Sequence, residues 1–66
     1  MPSTFEELAE LIAKRDNISF KEALRSIRDC AAEMEHAFYT GNIDEAEDLL
    51  REYLGLEPDF LDIFIL

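Results

Sequence analysis

Breakers and cross-links are scarce in this 66-residue chain: glycine occurs only at Gly41 and Gly55, proline only at Pro2 and Pro58, cysteine only at Cys30, and tryptophan not at all. A lone cysteine closes no internal disulfide, which excludes the stapled scaffolds that hold many small secreted domains together. Basic residues are also few, 6 against 16 acids, so the net charge is −10 and a phosphate backbone is repelled by the chain as a whole. Direct nucleic-acid binding is therefore not expected. The most apolar run, at the C-terminus, falls far short of the roughly 20 residues that cross a bilayer, so no membrane contact is expected. No charged leader precedes an apolar stretch at Met1-Pro2-Ser3-Thr4, and these features together predict a cytoplasmic setting.

What is present is enough apolar residue to fold. A hydrophobic share of 48% is that of a packed domain, whereas disorder combines high net charge with low hydrophobicity. Residues 1–66 form one domain with no linker, and a chain near this size buries only about 60% of its unfolded surface, which favours help from a second copy.

The breakers lie at the edges of segments with helical periodicity. Thr4 and Glu7 form a capping box ahead of Phe5, Leu8, Leu11 and Ile12, predicting a helix over 5–15. Ser19 and Glu22 form a second box, with Ile18 placed to staple onto Ala23, and open a helix over 20–40. Its apolar stripe reads Phe20, Leu24, Ile27, Ala31, Met34, Phe38 in steps of four and three. Gly41 stops that helix, and Asn42 with Glu45 caps a third over 43–54 that turns Ile43, Ala46, Leu49, Leu50, Tyr53 and Leu54 inward. Gly55 stops it in turn, and Pro58 suits the first turn of a last helix over 59–65. The fold class is all-α, a small bundle of three to four helices.

The stretch Gly41-Asn42-Ile43-Asp44-Glu45-Ala46, followed by Leu54, Leu56 and Pro58, resembles the second half of a tetratricopeptide repeat. The resemblance implies a helical hairpin with the same turn chemistry: a glycine stop, a small alanine for close packing and a proline at the end of the unit. Overall the chain also looks like the short acidic helical proteins of phages and mobile elements, many of which act by binding a larger host protein.

Charge is unevenly laid out. Met1 to Arg28 carries five acids and five bases, whereas Asp29 onward carries eleven acids and only Arg51, so the whole imbalance lies in the second part. Asp44, Glu45, Glu47, Asp48 and Glu52 crowd the third helix and form a candidate face for a basic protein partner. Lys21, Arg25 and Arg28 make one ridge of the second helix, and an antiparallel hairpin would bring its start near Glu52 and Glu57.

Six of the last seven residues are apolar: Phe60, Leu61, Ile63, Phe64, Ile65 and Leu66. Such an end needs cover, either as a lid on the core or, as favoured here, in a homo-oligomer, most simply a dimer that also uses the helix-two stripe. Glu33 and His36 have the Glu-x-x-His spacing of dinuclear carboxylate bundles, and a metal-binding dimer through them is one alternative. An acidic decoy that occupies a nucleic-acid-binding protein is another, and a DNA-binding dimer reading through Lys21, Arg25 and Arg28 is a third, opposed by the net charge. Cys30 stands six residues before the only histidine, on one helix, which does not assemble a nucleophile and its base. No glycine-rich phosphate loop is present, no cofactor is expected, and the expected role is protein–protein interaction, not catalysis.

Overall fold

The computed structural model describes residues 2–65. Three helices, α1 Phe5–Asp16, α2 Phe20–Tyr39 and α3 Ile43–Leu54, are followed by one 3-10 turn at Pro58–Leu61 that runs into a single-turn α4, Asp62–Ile65. No strand occurs among the described residues, and none of their helices is long and apolar enough to cross a membrane.

Each long helix starts on a side chain that takes up an amide with no partner inside the helix. The Glu7 amide donates to Thr4 Oγ1 at 3.1 Å, that of Glu22 to Ser19 Oγ at 3.0 Å, and that of Glu45 to Asn42 Oδ1 at 3.1 Å. The helices stop at left-handed residues, Asn17 (φ 56°), Gly41 (φ 75°) and Gly55 (φ 63°). At Gly41 the stop is a complete Schellman pair: the Asn42 amide donates to the Ala37 carbonyl at 2.8 Å and the Gly41 amide to that of Phe38 at 3.1 Å. Turns this short make α1 and α3 antiparallel neighbours of α2. The molecule measures 33 × 20 × 17 Å, its long axis close to the roughly 30 Å of a 20-residue helix.

The core gathers Leu8, Ala9 and Ile12 from α1, Ala23, Ile27, Cys30, Met34 and Ala37 from α2, Ala46, Leu50 and Leu54 from α3, and Leu56 and Leu61 beyond it. Among the described residues, no polar or charged side chain is buried with them. The inward line of α2 therefore differs from the stripe of its large apolar residues. Ile27 and Met34 belong to both, but the other buried positions are small, Ala23, Cys30 and Ala37, while Phe20 is exposed and Leu24, Ala31 and Phe38 are half-buried. At roughly 100° per residue the true core face is rotated by about 60° from the stripe. Small side chains on that face let α1 and α3 approach a helix that touches both. In α3, Ile43 and Tyr53 are exposed where the periodicity turns them inward: Ile43 stands at the first helical position beside the turn, and Tyr53 lies off the Ala46, Leu50, Leu54 line.

The C-terminal segment folds back over the bundle. Leu61 is buried, Phe60, Ile63 and Phe64 pack against the core, and the Phe64 ring lies 5.2 Å from that of Phe5 at 47°. The tilted pair joins the end of the described chain to the first turn of α1.

Candidate interaction surfaces

Helix α3 carries its acids on the side away from the core. Asp44, Glu45, Asp48 and Glu52 are exposed, and Glu47 is half-buried at the edge. Asp44, Asp48 and Glu52 follow at i, i+4 and i+8, one row about 12 Å long. The Asp48 carboxylate takes the one ion pair of this helix among the described residues, with Arg51 at 3.6 Å, both side chains about two-thirds exposed. A pair so wet neutralises little of the row. The caps at Asn42 and Gly55 hold both ends of the helix that presents it.

Lys21, Arg25 and Arg28 are exposed on α2 and, with Leu24 and Asp29, line a shallow open groove. None of the three is ion-paired among the described residues, and the expected approach to Glu52 and Glu57 yields no bridge. Beside the apolar packing of Leu54 and Leu56, the polar contact at the end of α3 is made by Arg15 instead. Its Nη2 donates to the Leu54 carbonyl at 2.6 Å and its Nη1 to that of Gly55 at 3.3 Å. Asp16 steadies the guanidinium with two bonds, from Nε at 2.8 Å and Nη2 at 2.9 Å. Hydrogen bonding to Arg15 holds the Asp16 carboxyl below its ordinary range and raises the guanidinium in turn. Sequence reading passes over Arg15 because its partners are backbone carbonyls 39 and 40 residues away. The available signal is the antiparallel order of the helices, which sets the ends of α1 and α3 at the same end of the bundle as the start of α2.

Glu33 and His36 are both exposed, and no group of three or more His, Cys, Asp or Glu side chains that could hold a metal ion occurs among the described residues. Cys30 is fully buried, its sulfur 3.5 Å from Met34 Sδ and 3.7 Å from the Leu49 carbonyl, and burial pushes its thiol up to about 11. A thiol so placed is a small core side chain and stays protonated at neutral pH.

Of the apolar C-terminal residues, Phe60, Leu61, Ile63 and Phe64 lie against the chain's own core, Ile65 is 55% exposed, and Leu66 lies outside the described residues. Phe20, 43% exposed, and the outer edges of Leu24, Ala31 and Phe38 leave a second apolar strip along α2. Set against protein-family models, curated proteins and solved structures, the chain matches none.

Proposed function

We propose that this chain is a small protein–protein interaction module that pairs with a second copy of itself and offers the acidic face of α3 to a basic protein surface. The observation that carries the reading is the Asp44, Asp48, Glu52 row with Glu45 beside it, exposed on a helix capped at both ends and countered by Arg51 alone. Charge presented from a rigid scaffold speeds encounter with a partner of opposite sign, and such a contact weakens as salt rises. Self-association is supported by the half-covered strip on α2 and by Ile65, apolar surface that a chain of this size leaves wet as a monomer.

The test is sedimentation of the full chain over a range of concentrations, followed by titration with a lysine-rich helical peptide. A mass of twice 7.6 kDa and peptide binding that disappears in Asp44→Asn/Asp48→Asn/Glu52→Gln support the reading. A mass of 7.6 kDa at every concentration overturns self-association, and peptide binding unchanged in the triple variant overturns the acidic face.

A further inference from the structure

The strip on α2 has an internal symmetry that specifies how a second copy meets it. Leu24 and Phe38 stand seven residues on either side of Ala31, two turns or about 10.5 Å each way. All three are half-buried on the same flank of α2, at the border of its core face. Between them, on the solvent side of the flank, lie Arg28 and Glu35, both exposed and neither ion-paired among the described residues. Asp29 adjoins Arg28 in sequence, but one turn away on their own helix neither finds an opposite charge. Around Arg28 the positions three and four away are Leu24, Arg25, Ala31 and Ala32, and around Glu35 they are Ala31, Ala32, Phe38 and Tyr39.

We propose that two copies dock antiparallel along this flank of α2 with Ala31 at the two-fold axis, Leu24 facing the partner's Phe38 and Arg28 paired with the partner's Glu35. This deepens the self-association reading and rests on it. Reversal of the helix about Ala31 carries position 24 onto 38 and position 28 to within one residue of 35, so each contact is made twice. Isologous pairing of this kind closes on itself and stops at the dimer. Ala31 and Ala32 at the crossing leave room for the backbones to approach to the 8–10 Å of packed helices. The open groove lined by Leu24, Lys21, Arg25, Arg28 and Asp29 receives the ring of the partner's Phe38, where guanidinium groups over an aromatic face add cation–π attraction. A parallel pair would instead set Arg28 against Arg28 and Glu35 against Glu35. The acidic row of α3 is no part of this seam and stays free for a partner of other chemistry.

The electrostatics separate the two contacts. Each copy carries −10, so the dimer gains when salt screens the repulsion between whole molecules, while a basic partner on α3 is lost under the same change.

The test uses the full chain with Ala31→Cys, and Glu33→Cys on the opposite side of α2 as its control. Under mild oxidation or with a short bis-maleimide, Ala31→Cys is expected to run as a covalent dimer on a denaturing gel, and Glu33→Cys and the native chain, with Cys30 buried, as monomers. By sedimentation at about 0.15 M salt, Arg28→Glu and Glu35→Arg are each expected to weaken the dimer about tenfold, and the double reversal to restore it. Circular dichroism confirms that each variant folds. A dimer whose Ala31→Cys form stays uncrosslinked and whose affinity ignores the reversals overturns this seam and leaves self-association standing on another surface. A monomer at all concentrations overturns both.

Discussion

Arg15 makes the charged hydrogen bonds that tie α1 to the end of α3, and its removal has a calculable effect. In Arg15→Ala, two carbonyls at the end of α3, those of Leu54 and Gly55, lose a charged donor, and Asp16 loses its partner. A hydrogen bond to a charged group contributes about 1.5–3 kcal/mol when protected from water. Here the arginine side chain is 38% exposed and Gly55 is open to solvent, so water replaces the weaker bond at 3.3 Å and the Asp16 pair contributes little. What remains is mainly the 2.6 Å bond to Leu54, in a partly buried setting at the negative end of a helix dipole. The expected loss is about 1.5 kcal/mol, which for a domain of this size lowers Tm by about 6–12 °C.

Urea and thermal unfolding followed by far-UV circular dichroism measure it directly. Arg15→Lys, a point charge with no fork, is expected to recover about half of the loss. Asp16→Asn should move the unfolding midpoint far less than Arg15→Ala does, since the aspartate orients the guanidinium without touching α3. A result for Arg15→Ala within about 0.3 kcal/mol of the parent would refute the argument, because it would mean that solvent caps α3 as well as the guanidinium does.

Three further outcomes follow from the geometry. Leu50→Ala removes a fully buried side chain from the middle of the core and is expected to cost about 2–5 kcal/mol, enough in a domain this small to flatten the cooperative urea transition. The Cys30 thiol, buried and pushed up to about 11, should react with an aromatic disulfide reagent about 100- to 1,000-fold more slowly in buffer than in urea, and equal rates would show that the core opens freely. The Glu7 carboxyl is held below its ordinary 4.5 by hydrogen bonds from the Ser3 amide and hydroxyl, so its contribution is full above that value and is lost as pH falls through the folded one. The stability gap between the parent and Glu7→Gln should therefore close on acidification, and a gap that stays constant to pH 3 would contradict the linkage, ~pH 3 being well inside the carboxylate range.

Helix existence and limits were legible in the sequence because they depend on neighbours a few residues apart. Thr4, Ser19 and Asn42 act on amides three positions on, and Gly41 and Gly55 take the positive φ that ends a helix, so the periodicity places each long helix to within a residue. The acidic exposure of α3 follows from the same short-range pattern, since Ala46, Leu50 and Leu54 claim the inward line and leave the acids outside. Contacts between distant segments were not legible. Nothing in the residues around Arg15 identifies the Leu54 and Gly55 carbonyls as its partners, because backbone acceptors leave no mark in side-chain identity. The apolar end is likewise ambiguous by composition, and only its packing over the bundle shows that Phe60 and Leu61 turn inward while Ile65 does not.

Helix α2 illustrates the deepest reason for that divide. Its large apolar residues form one unbroken stripe in sequence, yet Ile27 and Met34 are buried while Phe20, Leu24, Ala31 and Phe38 remain at the border or in solvent. A helix that must touch two neighbours needs small side chains at the closest approaches, and Ala23, Cys30 and Ala37 supply them. Hydropathy gives such residues less weight than leucine or phenylalanine, so a periodicity count centres itself on the large ones. The stripe of large residues then falls between two surfaces, one that closes the core and one beside it that stays partly exposed. Leu24 and Phe38 still pack against the core from its edge, so their inner sides close the single chain while their outer sides stay wet, and a large side chain at such a border raises the hydropathy of both surfaces at once.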